Sequence, residues 1–317
     1  GEYVECGHII HADGCIVAPG LIDFHTHIFH EGSGSAIRPD FMISQGTTAA
    51  VDAGTAGTVT YESFYKSVIA QSTVRIKGFL TTYSGGQLDF KLCEDFNPEL
   101  INLARMERVI DKYRDNILGL KIRLSKGVVP DDKALDYLKR VIELADELDE
   151  RLGTSLRVCV HTTNSPIPAS ELADCLRPGD IFCHCFQGAG NTIIMENGQI
   201  WPGILEARKR GVIFDAANGR GNFGAATAKQ ALKAGFLPDI ISTDLTIDKF
   251  NIPPYTKNLP SVMAKYMTMG MNLMDVLNTV TAAPAKIMGM EGKIGTLQPG
   301  ADADIVILKE KQLSFIQ

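Results

Sequence analysis

Six side chains able to hold metals or carry protons stand on five apolar runs of the sequence. The run LIDFH (21–25) closes in His25-Thr26-His27. Residues two apart in a strand face the same way, so both imidazoles share one side. The run ILGLKIR (117–123) carries Lys121 among Ile117, Leu118, Leu120 and Ile122. LRVCVH (156–161) ends in His161, DIFCH (180–184) in His184 and DIISTD (239–244) in Asp244. Only seven histidines occur in the chain, so four of them on run ends is a concentration. Imidazole and carboxylate together suit zinc, iron, manganese or nickel. A single histidine closing a strand is more often a hydrogen-bonded core residue, and Asp244 alone could cap a turn. An ordered set on successive runs is what points to a site.

Lys121 sharpens the question. An ammonium buried without a partner is costly, so such a lysine finds a counter-charge, loses its proton or is modified. Arg123, two positions on, faces the same way.

Other candidates read more plainly. In Cys183-His184-Cys185, strand alternation turns the cysteines away from His184 and makes them core thiols. His8 and His11 read as surface residues and His30 as a loop residue. NGRGNFG (218–224) lacks the lysine of a phosphate-binding loop and reads as a mobile substrate loop. Met267, Met269, Met271 and Met274 read as core packing.

These side chains need elements that gather them. Eight apolar runs alternate with amphipathic stretches: 21–25, 47–52, 74–81, 117–123, 156–161, 180–184, 211–216 and 239–244. Helices fit at 36–45, 60–71, 98–115, 131–151, 168–176, 202–210, 222–234 and 256–283. The stretch 131–151 has Asp131 or Asp132 near its start and Gly153 beyond its end, as helix caps require. Continuous apolar strands alternating with helices predict a parallel sheet, and eight units predict an α/β (β/α)8 TIM barrel. Its functional residues lie at the C-terminal strand ends. An open doubly wound sheet is the alternative, but no G-x-G-x-x-G follows a first strand. The stretches 3–20 and 292–310 read as short β segments from both termini that pair in a small β-sandwich domain. The expected division is 1–19 in that small domain, 20–290 in the barrel and 291–317 returning to the small domain. Gly1 opens in what reads as mid-strand, so residues ahead of it are expected.

Composition sets outer bounds. Of 317 residues, 45% are hydrophobic and 21% charged, with net charge -6. That balance argues against nucleic acid and anionic membranes as partners. No apolar run approaches the ~20 residues of a membrane span. The cysteines are odd in number, seven, without a spacing framework, so reduced thiols and a cytoplasmic location are expected. The expected partners are a small-molecule substrate and further copies of the same chain.

The motifs VAPGLIDFHTH (17–27) and GKIGTLQPGADADIVIL (292–308), with the set above in order, resemble the amidohydrolase superfamily over essentially the whole chain. The resemblance implies a binuclear site. His25, His27 and Asp244 match the ligands of the more buried metal, and His161 and His184 those of the second. Lys121 matches a lysine carboxylated by carbon dioxide that bridges two divalent ions, zinc being expected. A carbamate turns a costly buried cation into a shared anion. Asp244 is then also the proton carrier. VDAGTAG (51–57), VHTTNSP (160–166) and CHCFQG (183–188) resemble a deacetylase-like group near the dihydroorotases. The implied reaction is hydrolysis of an amide or ester of a small acylated metabolite. Cyclic-amide hydrolysis is the alternative, and deamination a lesser one. Phe29 stands where a dihydroorotase usually has arginine, and HTTNSP lacks the glutamate expected of a mononuclear deaminase. Loops after the third, fifth and seventh runs are expected to select substrate, through Tyr83, Asn164 and Arg220.

Overall fold

The computed structural model describes residues 7–89, 91–248, 250 and 258–311. After β1 (Ile16–Pro19) come seven strands that form one curled parallel sheet. They are β2 (Leu21–Thr26), β3 (Thr47–Asp52), β4 (Arg75–Thr81), β5 (Ile117–Arg123), β6 (Arg157–His161), β7 (Ile181–Cys183) and β8 (Ile213–Asp215). Neighbours in the sheet follow chain order from β2 to β8. The helices are α1 (Asp40–Ile43), α2 (Tyr61–Ser67), α3 (Leu103–Lys112), α4 (Ala134–Leu152), α5 (Ala169–Cys175), α6 (Pro202–Arg210), α7 (Ala225–Lys233), α8 (Leu259–Thr268), α9 (Leu273–Thr279) and α10 (Ala282–Ile287).

The strands are apolar on both faces because both faces are covered. Leu80, Ile122, Val160 and Phe214 join Ile110, Leu138, Leu172 and Ile204 of the helices in the main core. Ile22, Phe24, Val51, Phe79, Ile181 and Ile240 form a second cluster inside the curl, a floor on which polar groups can stand.

The run 239–244, expected as a strand, is not a regular one. Isolated parallel bridges join Ile240 to Asp215 at one sheet edge and Leu245 to Thr26 at the other. The departure has a cause. The Thr243 N–H and hydroxyl both donate to the buried Asp23 carboxylate, at 3.0 and 2.6 Å. Asp244 then takes a left-handed φ of 51°.

Three local expectations change. α4 ends at Gly153 (φ 63°) as expected, but it starts at Ala134 with Lys133 in the cap position and no side-chain bond, so neither Asp131 nor Asp132 caps it. The single helix expected over 256–283 is broken, because Gly270 turns left-handed at φ 106° and the Asn272 side chain caps α9 by accepting from Asp275 N–H. Met271 is buried as expected, whereas Met274 is 72% exposed.

The termini meet. β1 pairs antiparallel with β9 (Ile305–Leu308), from Ile16↔Leu308 to Pro19↔Ile305. Arg75 of β4 ties this ribbon to the sheet through Asp302 and Asp304 at 2.7 and 3.0 Å. Residues 3–6 of the first terminal stretch, 256–257 of the last helical run, and 312–317 lie outside the described residues. Cys15, Cys93, Cys159, Cys175, Cys183 and Cys185 are free thiols, and Cys6 lies outside the described residues. No helix among the described residues is long and apolar enough to cross a membrane.

Candidate metal centre and its pocket

His25 and His27 leave the end of β2, where the register against β3 slips between Asp23 and Thr26. Bulges of this kind re-aim side chains beside functional sites. Both imidazoles face Asp244: His27 Nε2 lies 3.4 Å and His25 Nε2 3.7 Å from its Oδ1. Ligand atoms of His25, His27 and Asp244 all lie within 4.8 Å of one another, and all three residues are buried. This set fits a divalent cation in number, type and spacing.

What turns the rings is as informative as the rings. His25 Nδ1 meets Asp215 Oδ2 at 3.0 Å, and His27 Nδ1 meets the Thr55 hydroxyl at 2.8 Å. Thr55 is itself held because Asp52 accepts from the N–H groups of Gly54 and Thr55. Partners of this kind set ring orientation and leave Nε2 for a metal. Asp215 also accepts from Ser242 and from Ala217 N–H. Burial raises its pKa to about 6, and the Ser242 hydrogen bond pulls the other way.

Asp215 was absent from the expected set. It stands one residue before the end of the seventh apolar run, 211–216, and that position was its visible signal. With His25 and Cys183 it forms a second close group of metal-competent atoms.

His184 follows β7 in a left-handed conformation, φ 59°. Its Nδ1 donates to the Ala217 carbonyl at 2.9 Å, and its Nε2 lies 2.8 Å from His161 Nδ1. Burial pushes the His184 pKa down to about 3 and that of His161 well below its ordinary value. Both rings are therefore neutral, the form in which imidazole binds metal.

The left-handed turn at His184 also corrects the alternation expected around it. Cys183 does not turn away: its sulfur lies 3.2 Å from Cys159 and 3.8 Å from Lys121 Nζ. Cys185 does leave for the outer core.

Lys121 is 6% exposed and lines the same cavity as His25, His27, His161 and Asp244. Burial alone pushes its ammonium down. The neighbouring Cys159, Cys183 and Asp244 push the other way and outweigh burial.

The cavity measures about 290 Å³. Of the three residues expected to meet substrate, Asn164 lines it, in a left-handed conformation at φ 51°. Tyr83 is half-buried against the main core, and Arg220 is exposed outside the lining. Asn222, two residues beyond Arg220, takes the inward place and donates to Asp244 Oδ2 at 2.7 Å. A charged pair not foreseen completes the wall: Arg123 Nη2 meets Glu94 Oε2 at 2.6 Å. His30 sits outside the lining, beside Glu31 at 3.2 Å.

Neutral imidazoles and a positioned carboxylate at the C-terminal end of a parallel sheet suit hydrolytic chemistry. The model of the amidohydrolase family matches residues 16–316, and the chain belongs to that family, as a hydrolase acting on carbon–nitrogen bonds. A deacetylase of Agrobacterium fabrum is 30% identical over 306 residues, covering 94% of this chain and 71% of its own. Among solved structures, an adenine deaminase is 28% identical with a TM-score of 0.83, over 93% of this chain and 77% of that one. A dihydroorotase is 30% identical with a TM-score of 0.78, over 87% of this chain and 84% of that one.

Proposed function

We propose that this chain removes an acyl group from a small metabolite by hydrolysing its amide or ester bond, at a centre of two divalent ions, zinc by expectation. The observation that carries the reading is the convergence of His25, His27 and Asp244 on one cavity, within 4.8 Å of one another. The deacetylase relative, matched along 94% of this chain, supports the acyl reaction. His25, His27 and Asp244 would hold one ion, and His161 and His184 the other. Lys121, carboxylated on Nζ, would offer an oxygen to each. The chemistry such ions supply when bound is polarisation of a carbonyl and a water acidified from 15.7 to about 7.

The chain's own residues do the rest. Asp244 takes the proton of the attacking water and delivers it to the departing nitrogen or oxygen. Asn222, donating to Oδ2 at 2.7 Å, holds the carboxylate in place for that task. Asp215 and Thr55 keep His25 and His27 turned toward the cavity. The bridges from Ile240 to Asp215 and from Leu245 to Thr26 support a closed eight-stave barrel over residues 20–290. The β1–β9 ribbon supports a small β domain shared by 1–19 and 291–317.

The dihydroorotase neighbour keeps cyclic-amide hydrolysis as a second reading. Phe29 disfavours it, being buried and packed on Phe64 at 4.9 Å between ring centres. Zinc-loaded enzyme assayed against N-acyl and O-acyl acids, hydantoins and dihydroorotate separates the two. Turnover of the acyl acids is expected, and turnover confined to the cyclic amides contradicts the proposal.

A further inference from the structure

Inside the curl lies a set of donor atoms that the proposed reaction leaves unused. Cys159 of β6 and Cys183 of β7 are both buried in the inner apolar cluster, and their sulfurs stand 3.2 Å apart. Cys183, Asp215 and His25 also bring one ligand atom each within 4.8 Å of one another. On His25 the atom that meets Asp215 is Nδ1, at 3.0 Å, whereas Nε2 faces Asp244. The set therefore uses other atoms than the group formed with His27 and Asp244, although one imidazole joins the two. It is also within reach of the cavity. Lys121 Nζ lies 3.4 Å from the Cys159 sulfur and 3.8 Å from that of Cys183, and both Lys121 and His25 line the cavity. An ion that enters the cavity meets the sulfurs past the Lys121 side chain.

We propose that Cys159, Cys183, His25 and Asp215 form a further site for one thiophilic metal ion, of the zinc, cadmium or cuprous class. The donor chemistry selects that class, because thiolates favour soft ions over magnesium or calcium. The spacing fits. Two sulfurs about 2.3 Å from a tetrahedral ion stand about 3.8 Å apart, so the pair needs to open by only about 0.6 Å. The thiol protons leave as the ion enters. Asp215, which turns His25 for the hydrolytic centre, is here a donor itself, and a buried carboxylate is satisfied by a coordinated cation. Four protein donors fill a tetrahedral shell and leave no place for water. An ion in this site is therefore held and does no hydrolysis.

The test reads binding and needs no substrate. Reduced, zinc-loaded enzyme is titrated with cadmium while the ultraviolet charge-transfer band of the cadmium–thiolate bond is followed. His25, His27, His161, His184 and Asp244 carry no sulfur, so an ion held by them alone gives no such band. The band should appear and saturate at one ion per chain. Cys159→Ser and Cys183→Ser should each weaken cadmium binding by at least about 100-fold, the upper end for losing a partner that only supports a ligand. Cys93→Ser, which changes an exposed thiol, should leave it as in the wild type. Circular dichroism checks that the variants are folded. A wild type without the band overturns the proposal, as does a band that survives Cys183→Ser. Where neither serine variant folds, a cadmium-soaked crystal of the wild type decides. Anomalous density touching both sulfurs is the expected result, and density confined to His25 Nε2, His27 and Asp244 contradicts it.

Discussion

Lys121 and His161 reach the cavity by one route; Asp244, and His184 behind its contact with His161, are placed by another. The first two lie on β5 and β6, paired in unbroken register from Gly119↔Arg157 to Arg123↔His161. Their side chains go where strand alternation sends them. His184 and Asp244 stand just beyond regular pairing, each in a left-handed conformation that costs a non-glycine residue of order 1–3 kcal/mol. That strain is held by specific bonds. The Asp244 N–H donates to the His25 carbonyl at 2.7 Å, and His184 Nδ1 donates to Ala217. One part of the sheet supplies rigid staves, and the other bends its backbone to bring a ring against His161 and a carboxylate into the cavity. The difference predicts where substitutions act on chemistry and where on folding.

The largest effect is expected at the bent side. Asp244→Asn keeps an oxygen for a metal but accepts no proton. Turnover should fall by at least about 10³-fold with most of the metal retained. Turnover near the wild-type rate with metal bound would show that another group moves the proton.

Next comes a change that removes no functional group. A Cβ at Gly219 would lie 1.7 Å from Asp244 Oδ2 and 2.7 Å from Asn222 Nδ2. Gly219→Ala must push the carboxylate aside, and turnover should fall by about 100-fold, as for a misplacement of about 1 Å. Metal content should change little. The counterpart on the stave side is Gly54, where φ is +97° and a Cβ would meet the Lys121 Cβ and Cγ at 2.6 Å. Gly54→Ala should cost metal as well as turnover, because it displaces Lys121, the side chain proposed to bridge the ions. Equal metal loss in the two variants would erase the distinction between the two sides.

The smallest effect concerns stability. Lys265 Nζ donates to Asn218 Oδ1 at 2.6 Å and lies 3.7 Å from the centre of the Phe223 ring, propping the loop after β8. Burial pushes its pKa from 10.5 down to about 7. Between those values the unfolded chain holds a proton that the folded chain lacks, so stability rises with pH across that window. Lys265→Met loses this rise. Melting temperatures of wild type and variant, compared from neutral to alkaline pH, should shift in the wild type's favour as pH increases. A difference that does not vary with pH contradicts the assignment.

Much of the candidate site was legible because it needs only residue type and run position. His25, His27, Lys121, His161, His184 and Asp244 each close or occupy an apolar run; all but His184 line the cavity, and His184 meets His161. The routes were less legible. Alternation places Lys121 correctly and misplaces Cys183, because one left-handed residue after β7 resets which side chains face inward. The irregular course of 239–244 depends on Asp23, 220 residues away from Thr243. Asp215 and Thr55 were missed because they act by holding rings rather than by ligation. Arg123 and Glu94 meet through a loop contact that no local pattern announces. The seven regular strands and most helices follow from periodicity, whereas the break in 256–283 turned on Gly270.

The central claim, two ions bridged by a modified Lys121, is tested most directly by a zinc-loaded crystal grown near neutral pH with bicarbonate. Anomalous density should show one ion against His25, His27 and Asp244 and a second against His161 and His184. Density at Lys121 Nζ should extend into a planar three-atom group that touches both. Two ions beside a bare Lys121 amine, or a single ion with Lys121 unmodified, would contradict the account.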